Sequence, residues 1–219
     1  MTMTNNLIAG LDPEIRDILV SDRRAFFKRA ALSLGSLASA PVLLAATAQN
    51  AFGQELPQDI VDVLVYALTL EHIEDAFYRS GLDADGLIPE EYVGIFNQIG
   101  KHEAAHVAFL TAALGPAAIE RPALDLTAGG MYADALTNFD TYLTLSQTFE
   151  DLGVAAYKGQ AGNLIGNDDI LTAALQIHSV EARHAAIVRR IGGKKPWDGA
   201  FDEPMSKEDV LAAAGPFLA

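Results

Sequence analysis

Glu103-Ala104-Ala105-His106 and Glu181-Ala182-Arg183-His184 are two copies of one pattern, Glu-x-x-His, and their placement decides the fold. In an α-helix, positions i and i+3 project from the same side, one above the other. The first pair falls on the face defined by Ile95, Ile99, Leu110 and Ala113, the second on that of Ala174, Ile177, Val188 and Ile191. Two further helical segments each interrupt an apolar stripe with one acid. Glu71 continues the line of Leu64 and Leu68, and Glu150 that of Phe139 and Leu143. With 12 Glu and five His in 219 residues, two such pairs arise by accident in on the order of a few per cent of chains, before core-facing is required. Either pair alone would read as a solvated helix face. The six residues together do not.

The set also repeats. Glu71 precedes Glu103 by 32 residues and Glu150 precedes Glu181 by 31. Glu71-x6-Tyr78 matches Glu150-x6-Tyr157, so the unit is a helix pair used twice, related by an approximate two-fold axis. Four segments show helical rather than alternating periodicity. They cover 57–78, stopped by Gly81; Pro89 to Gly115-Pro116, with Glu90 and Glu91 in the first turn; 131–158; and the stretch after Asn167 up to Gly192-Gly193. The longest connection, 115–130, carries Pro116, Pro122 and a Gly-Gly pair. The prediction is all-α: a four-helix bundle over 54–193 with one long crossover connection. A C-terminal tail, 194–219, would pack on it through Trp197 and a short helix capped by Ser206 with Asp209.

Four carboxylates in a core cost several kcal/mol per ion unless a cation compensates them. Two divalent metal ions would offset four negative charges, and two neutral imidazoles would complete the donor set. One Glu from each of two helices plus Glu-x-x-His from each of the others is a dinuclear carboxylate arrangement.

The phrases Ala67-Leu68-Thr69-Leu70-Glu71 with Ala76-Phe77-Tyr78, and Gly199-Ala200-Phe201-Asp202-Glu203-Pro204 leading to Val210-Leu211-Ala212-Ala213 and Pro216-Phe217, add a likeness. From about Leu56 to its end the chain resembles the ferritin-like superfamily, most closely the exported ferritin-like domain family that includes desiccation-related proteins. That resemblance implies the four-helix fold and a di-iron or iron-manganese centre, without one agreed reaction. It makes Glu71, Glu103, His106, Glu150, Glu181 and His184 the candidate ligands, with Glu71 and Glu150 as terminal ligands or bridges, Glu103 and Glu181 as the favoured bridges, and one histidine per metal. Glu74 lies one turn on from Glu71 and competes with it; the repeat with Glu150 favours Glu71.

Tyr78 and Tyr157 lie two turns from the lone acids, within reach of the centre, although buried tyrosines at this spacing more often pack with one hydrogen bond. His178, one turn before Glu181, is an extra ligand or a donor to a carboxylate. Asp75 is placed to orient a ligand. His72 and His102 sit about 100° around their helices from a ligand and are expected to be exposed or at an interface.

The start of the chain carries a different signal. Arg23, Arg24, Lys28 and Arg29 precede an uncharged stretch, 30–48, with Leu32, Leu34, Leu37, Val42, Leu43 and Leu44. Basic residues, a modest apolar run and small residues are the order of a secretory signal, with cleavage after Ala48 or Gly53. Ser21-Asp22-Arg23-Arg24-Ala25-Phe26-Phe27-Lys28 resembles a twin-arginine export signal. An uncleaved anchor is the rival reading, disfavoured by Ser, Gly and Pro within the run. Residues 1–53 hold five bases and four acids, which leaves 10 bases against 25 acids, a net of −15. Nucleic acid is excluded as a natural partner, since its recognition begins with a basic face. Cysteine is absent, which removes disulfides, thiolate metal sites and cysteine nucleophiles.

The expected protein is therefore exported, periplasmic or extracytoplasmic. Its expected cofactors are two divalent ions, iron and/or manganese. Its expected partners are a small-molecule oxidant or Fe(II), the twin-arginine translocase during export, and further copies of itself if it forms a homo-oligomer. The alternative is a non-catalytic envelope protein of stress protection that keeps the bundle.

Overall fold

The computed structural model describes residues 56–197 and 199–219. The twin-arginine segment and both cleavage positions lie outside the described residues. The described residues form five α-helices: α1 Gln58–Asp83, α2 Glu90–Leu114, α3 Phe139–Gln160, α4 Asp168–Ile191 and α5 Lys207–Ala214. Helix α1 pairs with α2 and α3 with α4, and α1 packs on α3. The fold is the all-α bundle with a long crossover between α2 and α3. None of the described helices is long and apolar enough to cross a membrane.

Two boundaries differ from expectation. Gly81 does not stop α1, which continues to Asp83. Its role is close approach: a Cβ there would lie 2.2 Å from the ring of Tyr142 on α3, so only glycine lets the two helices meet at this level. Helix α3 begins at Phe139 rather than 131. Asn138 is its N-cap, with its side-chain oxygen accepting from Asp140 N–H at 3.0 Å, and 131–137 form turns. The periodicity of Leu136, Phe139 and Leu143 runs across this start because Leu136 packs on the same core from a turn.

Helix α4 is capped by Asn167, with Asp168 and Asp169 at its positive end and Arg189 and Arg190 at its negative one. Ser206 caps α5 through Asp209 N–H at 3.1 Å. The crossover is tied to the C-terminus by two backbone bonds, Asp125 N–H to Phe217 O at 2.9 Å and Ala219 N–H to Ala123 O at 3.0 Å. Trp197 does not anchor the tail. It is 66% exposed, whereas Val210, Ala214 and Phe217 are buried and Met205 N–H donates to Ala155 O at 3.2 Å. That strand of tail crosses α3 at Gly159, where a Cβ would meet Met205 O at 2.0 Å.

The core has two apolar parts. One gathers Phe77, Phe96, Tyr142, Phe149 and Phe217, with Phe77 and Tyr142 stacked at 4.6 Å. The other gathers Leu64, Leu68, Leu110, Leu164 and Ile170. Along α1, α2 and α4 the acids and histidines fall between the residues of these two parts, so apolar packing closes a polar layer from both ends.

Candidate metal centre

Glu71, Glu103, Glu150 and Glu181 are fully buried, and His106 and His184 nearly so. They come from all four bundle helices. Their donor atoms form two groups, each lying within 4.8 Å of one another: Glu71, Glu103, His106 and Glu181, and Glu103, Glu150, Glu181 and His184. Glu103 and Glu181 belong to both. Glu103 turns Oε2 toward His106 Nδ1 (3.1 Å) and Oε1 toward His184 Nδ1 (3.0 Å). Glu181 turns Oε1 toward His106 Nδ1 (3.0 Å) and Oε2 toward His184 Nδ1 (3.9 Å). Each of these carboxylates spans the two groups, while Glu71 and Glu150 face one histidine each, at 3.2 and 3.3 Å.

The donor set fits a pair of divalent cations. Glu103 Oε1, Glu150 Oε2, both oxygens of Glu181 and His184 Nδ1 are buried without a hydrogen bond. The short contacts between them lie off the direction of a hydrogen bond. Orphaned buried acceptors are costly, and divalent cations held by the two groups would satisfy them. Carboxylates and imidazoles suit iron and manganese.

Protons stand in for that charge in the polypeptide alone. Burial lifts the carboxyl groups of Glu181 and Glu103 above their ordinary value; for Glu181 the neighbouring Glu103 adds to the rise, and for Glu103 the rise persists against the nearby imidazoles of His106 and His184. Burial acts the same way on Glu71, but the charge and hydrogen bond of His106 override it and lower this carboxyl. For the histidines burial favours the neutral form. The close carboxylates of Glu103 and Glu150 overcome it and push His184 up to about 10, and Glu71, Glu103 and Glu181 likewise raise His106.

Both tyrosines reach the centre, and they do so crosswise. Tyr78 of α1 donates to Glu150 of α3, and Tyr157 of α3 donates to Glu71 of α1 at 2.5 Å. Each makes the single hydrogen bond expected of a buried tyrosine, and its partner is the lone acid of the opposite half. The phenols are raised, first by burial and then by those carboxylates, so they stay donors. Glu74 is buried but belongs to neither group. Burial, then Glu181 and Glu71, holds its carboxyl well above the usual range. Its repeat counterpart is Gly153, where a Cβ would lie 3.3 Å from both Glu74 Oε1 and Glu181 Oε2. The missing side chain on α3 makes room for the extra acid on α1.

Other residues are placed differently from expectation. His178 is not drawn into the cluster; it is half-buried and its electrostatic neighbours are Lys158 and Asp202, on the tail side. Asp75 turns away to accept from Arg79 Nη2 at 2.6 Å. His72 is buried rather than exposed. His102, also expected to be exposed or at an interface, is half-buried with Nδ1 2.8 Å from His184 Nε2. Burial and the charges of His184 and His106 lower its pKa. The signal for His102 was in the sequence as Gln98-x3-His102, one turn apart on the flank of Glu103.

A family model described as a ferritin-like domain matches residues 59–194. The chain belongs to the ferritin-like domain family. The match covers α1 to α4 and all six clustered residues of the ferritin-like bundle. No curated protein matches the chain.

Proposed function

We propose that this ferritin-like protein is an exported dinuclear metal protein that performs redox chemistry with dioxygen, peroxide or Fe(II), in defence against oxidative or desiccation stress. One observation carries the metal part of this reading: Glu103 and Glu181 each direct one oxygen to each histidine group, which is the arrangement two bridging carboxylates need. Glu71 with His106 would hold one ion and Glu150 with His184 the other. Iron or manganese bound there would supply a change of oxidation state and open coordination positions for the oxidant.

The chain's own residues prepare the site. Tyr157 and Tyr78 fix the free oxygens of Glu71 and Glu150, leaving the others for the ions. The apolar parts on either side exclude water, which strengthens the charge interactions within. The absence of cysteine spares the chain a common target of oxidants. Arg23-Arg24 and the apolar run after them support export through the twin-arginine translocase, with the signal removed after Ala48 or Gly53, and loading of metal before export suits that route.

The acidic composition and the desiccation-related likeness of 67–78 and 199–217 support a second reading, a non-catalytic envelope protein. Stopped-flow oxidation of added Fe(II), and peroxide consumption, separate the two. Turnover that is lost in Glu103→Ala is the result expected here. Metal bound stoichiometrically without turnover of either substrate would leave the stress-protection reading.

A further inference from the structure

We infer that His102 is the positioning residue for His184, and that it makes the metal position of the second helix pair bind more tightly than that of the first. The inference rests on the metal reading above. His184 presents Nδ1 to Glu103 and Glu150, at 3.0 and 3.3 Å. A neutral imidazole that gives one nitrogen to a metal carries its proton on the other. For His184 that proton sits on Nε2, the atom 2.8 Å from His102 Nδ1. His102 therefore accepts at Nδ1 and carries its own proton on Nε2, 2.7 Å from the side-chain amide of Gln98. Gln98 is exposed, and turning its amide by half a rotation sets an oxygen there to receive that proton.

The result is a chain from solvent to the buried imidazole. The two rings are nearly parallel, 15° apart, so the contact fixes the rotation of His184 as well as its tautomer. An outer partner of this kind raises ligand basicity, and its removal typically weakens metal affinity about 10–100-fold.

The first helix pair has no such device. The repeat places Val180 where His102 stands, and valine has no polar side-chain atom. His106 makes its hydrogen bonds through Nδ1, to Glu71 and Glu103, and among the described residues no side chain bonds its Nε2. Two positions with the same donor types are thus supported unequally, and they fill in order.

Titration of metal-free protein with Co(II), followed by calorimetry and by proton NMR of the histidine N–H signals shifted by the bound ion, tests this. Wild type should bind two Co(II) in unequal steps, with one N–H signal exchanging with water more slowly than the other. His102→Leu should weaken the tighter step about 10–100-fold, leave the weaker one, and speed exchange of the slow signal. His102→Asn, whose side-chain oxygen can sit where Nδ1 was, should restore both. Folded His102→Leu with both steps and both exchange rates unchanged would overturn the role of His102 while leaving the metal centre intact. Wild type that takes up no Co(II) would instead overturn the metal reading and this inference with it. Should His102→Leu not fold, the wild-type spectrum decides: equal exchange of the two signals contradicts the inference, and one protected signal upholds it.

Discussion

The two helix pairs carry the same lone Glu, the same Glu-x-x-His and the same Tyr seven residues on, yet they differ where those residues are supported. The first pair has Glu74 where the second has Gly153, and His102 where the second has Val180. Gly153 clears space that Glu74 and Glu181 share, and His102 reaches across to the histidine of the other pair. The tyrosines cross in both directions. A repeated unit thus builds one cluster only because each half completes the other, and the departures from the repeat make its two ligand groups unlike.

The comparison breaks most visibly at the lone acids. Glu71→Ala and Glu150→Ala should each lower the metal content from two ions per chain to one, since each acid belongs to one group. Loss of both ions from either variant would mean the positions fill only together. Gly81→Ala should come next, because its Cβ would run into Tyr142. A cost of about 1–3 kcal/mol is expected from overpacking at this level, read as a fall in the denaturant midpoint at constant slope.

Tyr78→Phe and Tyr157→Phe should cost similar amounts, about 1.5–3 kcal/mol for a bond to a charged group. Unequal midpoint shifts would show that the crosswise bonds are not equivalent.

The smallest effect concerns pH in the metal-free protein. His184 and His106 are raised on folding, so their contribution is complete below the unfolded value of 6.5 and fades as pH rises toward the folded value, about 10 for His184. Raised Glu181, Glu103 and Glu74 carry the same sign from 4.5 upward, while lowered Glu71 acts oppositely, on the acid side. Metal-free protein should therefore melt at lower temperature as pH rises from about 6 to 9, and metal should flatten the curve by displacing the protons. Glu74→Gln removes one raised carboxyl and should stabilise the metal-free form more at pH 8 than at pH 5.

Much of this is legible in the sequence. Acids and histidines set into apolar stripes locate the cluster because burial of charge demands a reason; Pro89 marks a helix start by its fixed backbone angle, and Asn167 and Ser206 do so by their side-chain caps. Gly81 misleads because a glycine near a helix end serves equally well as a stop or as a place of contact, and only the ring of Tyr142 distinguishes the two. The start of α3 misleads because Leu136 keeps the helical phase from within a turn, masking the cap at Asn138. Angle alone places His102 at the surface or at an interface. A residue 100° from the core face can still meet the neighbouring helix on that flank, and which flank α4 occupies is a tertiary fact.

Metal content per chain, by plasma mass spectrometry of protein exported from a native-like host, tests the central claim most directly. Wild type is predicted to carry two iron or manganese ions and the Glu103→Ala, Glu181→Ala double variant none, since both spanning carboxylates are gone. Folded wild type that is metal-free and stays empty after reconstitution with Fe(II) and Mn(II) would contradict it.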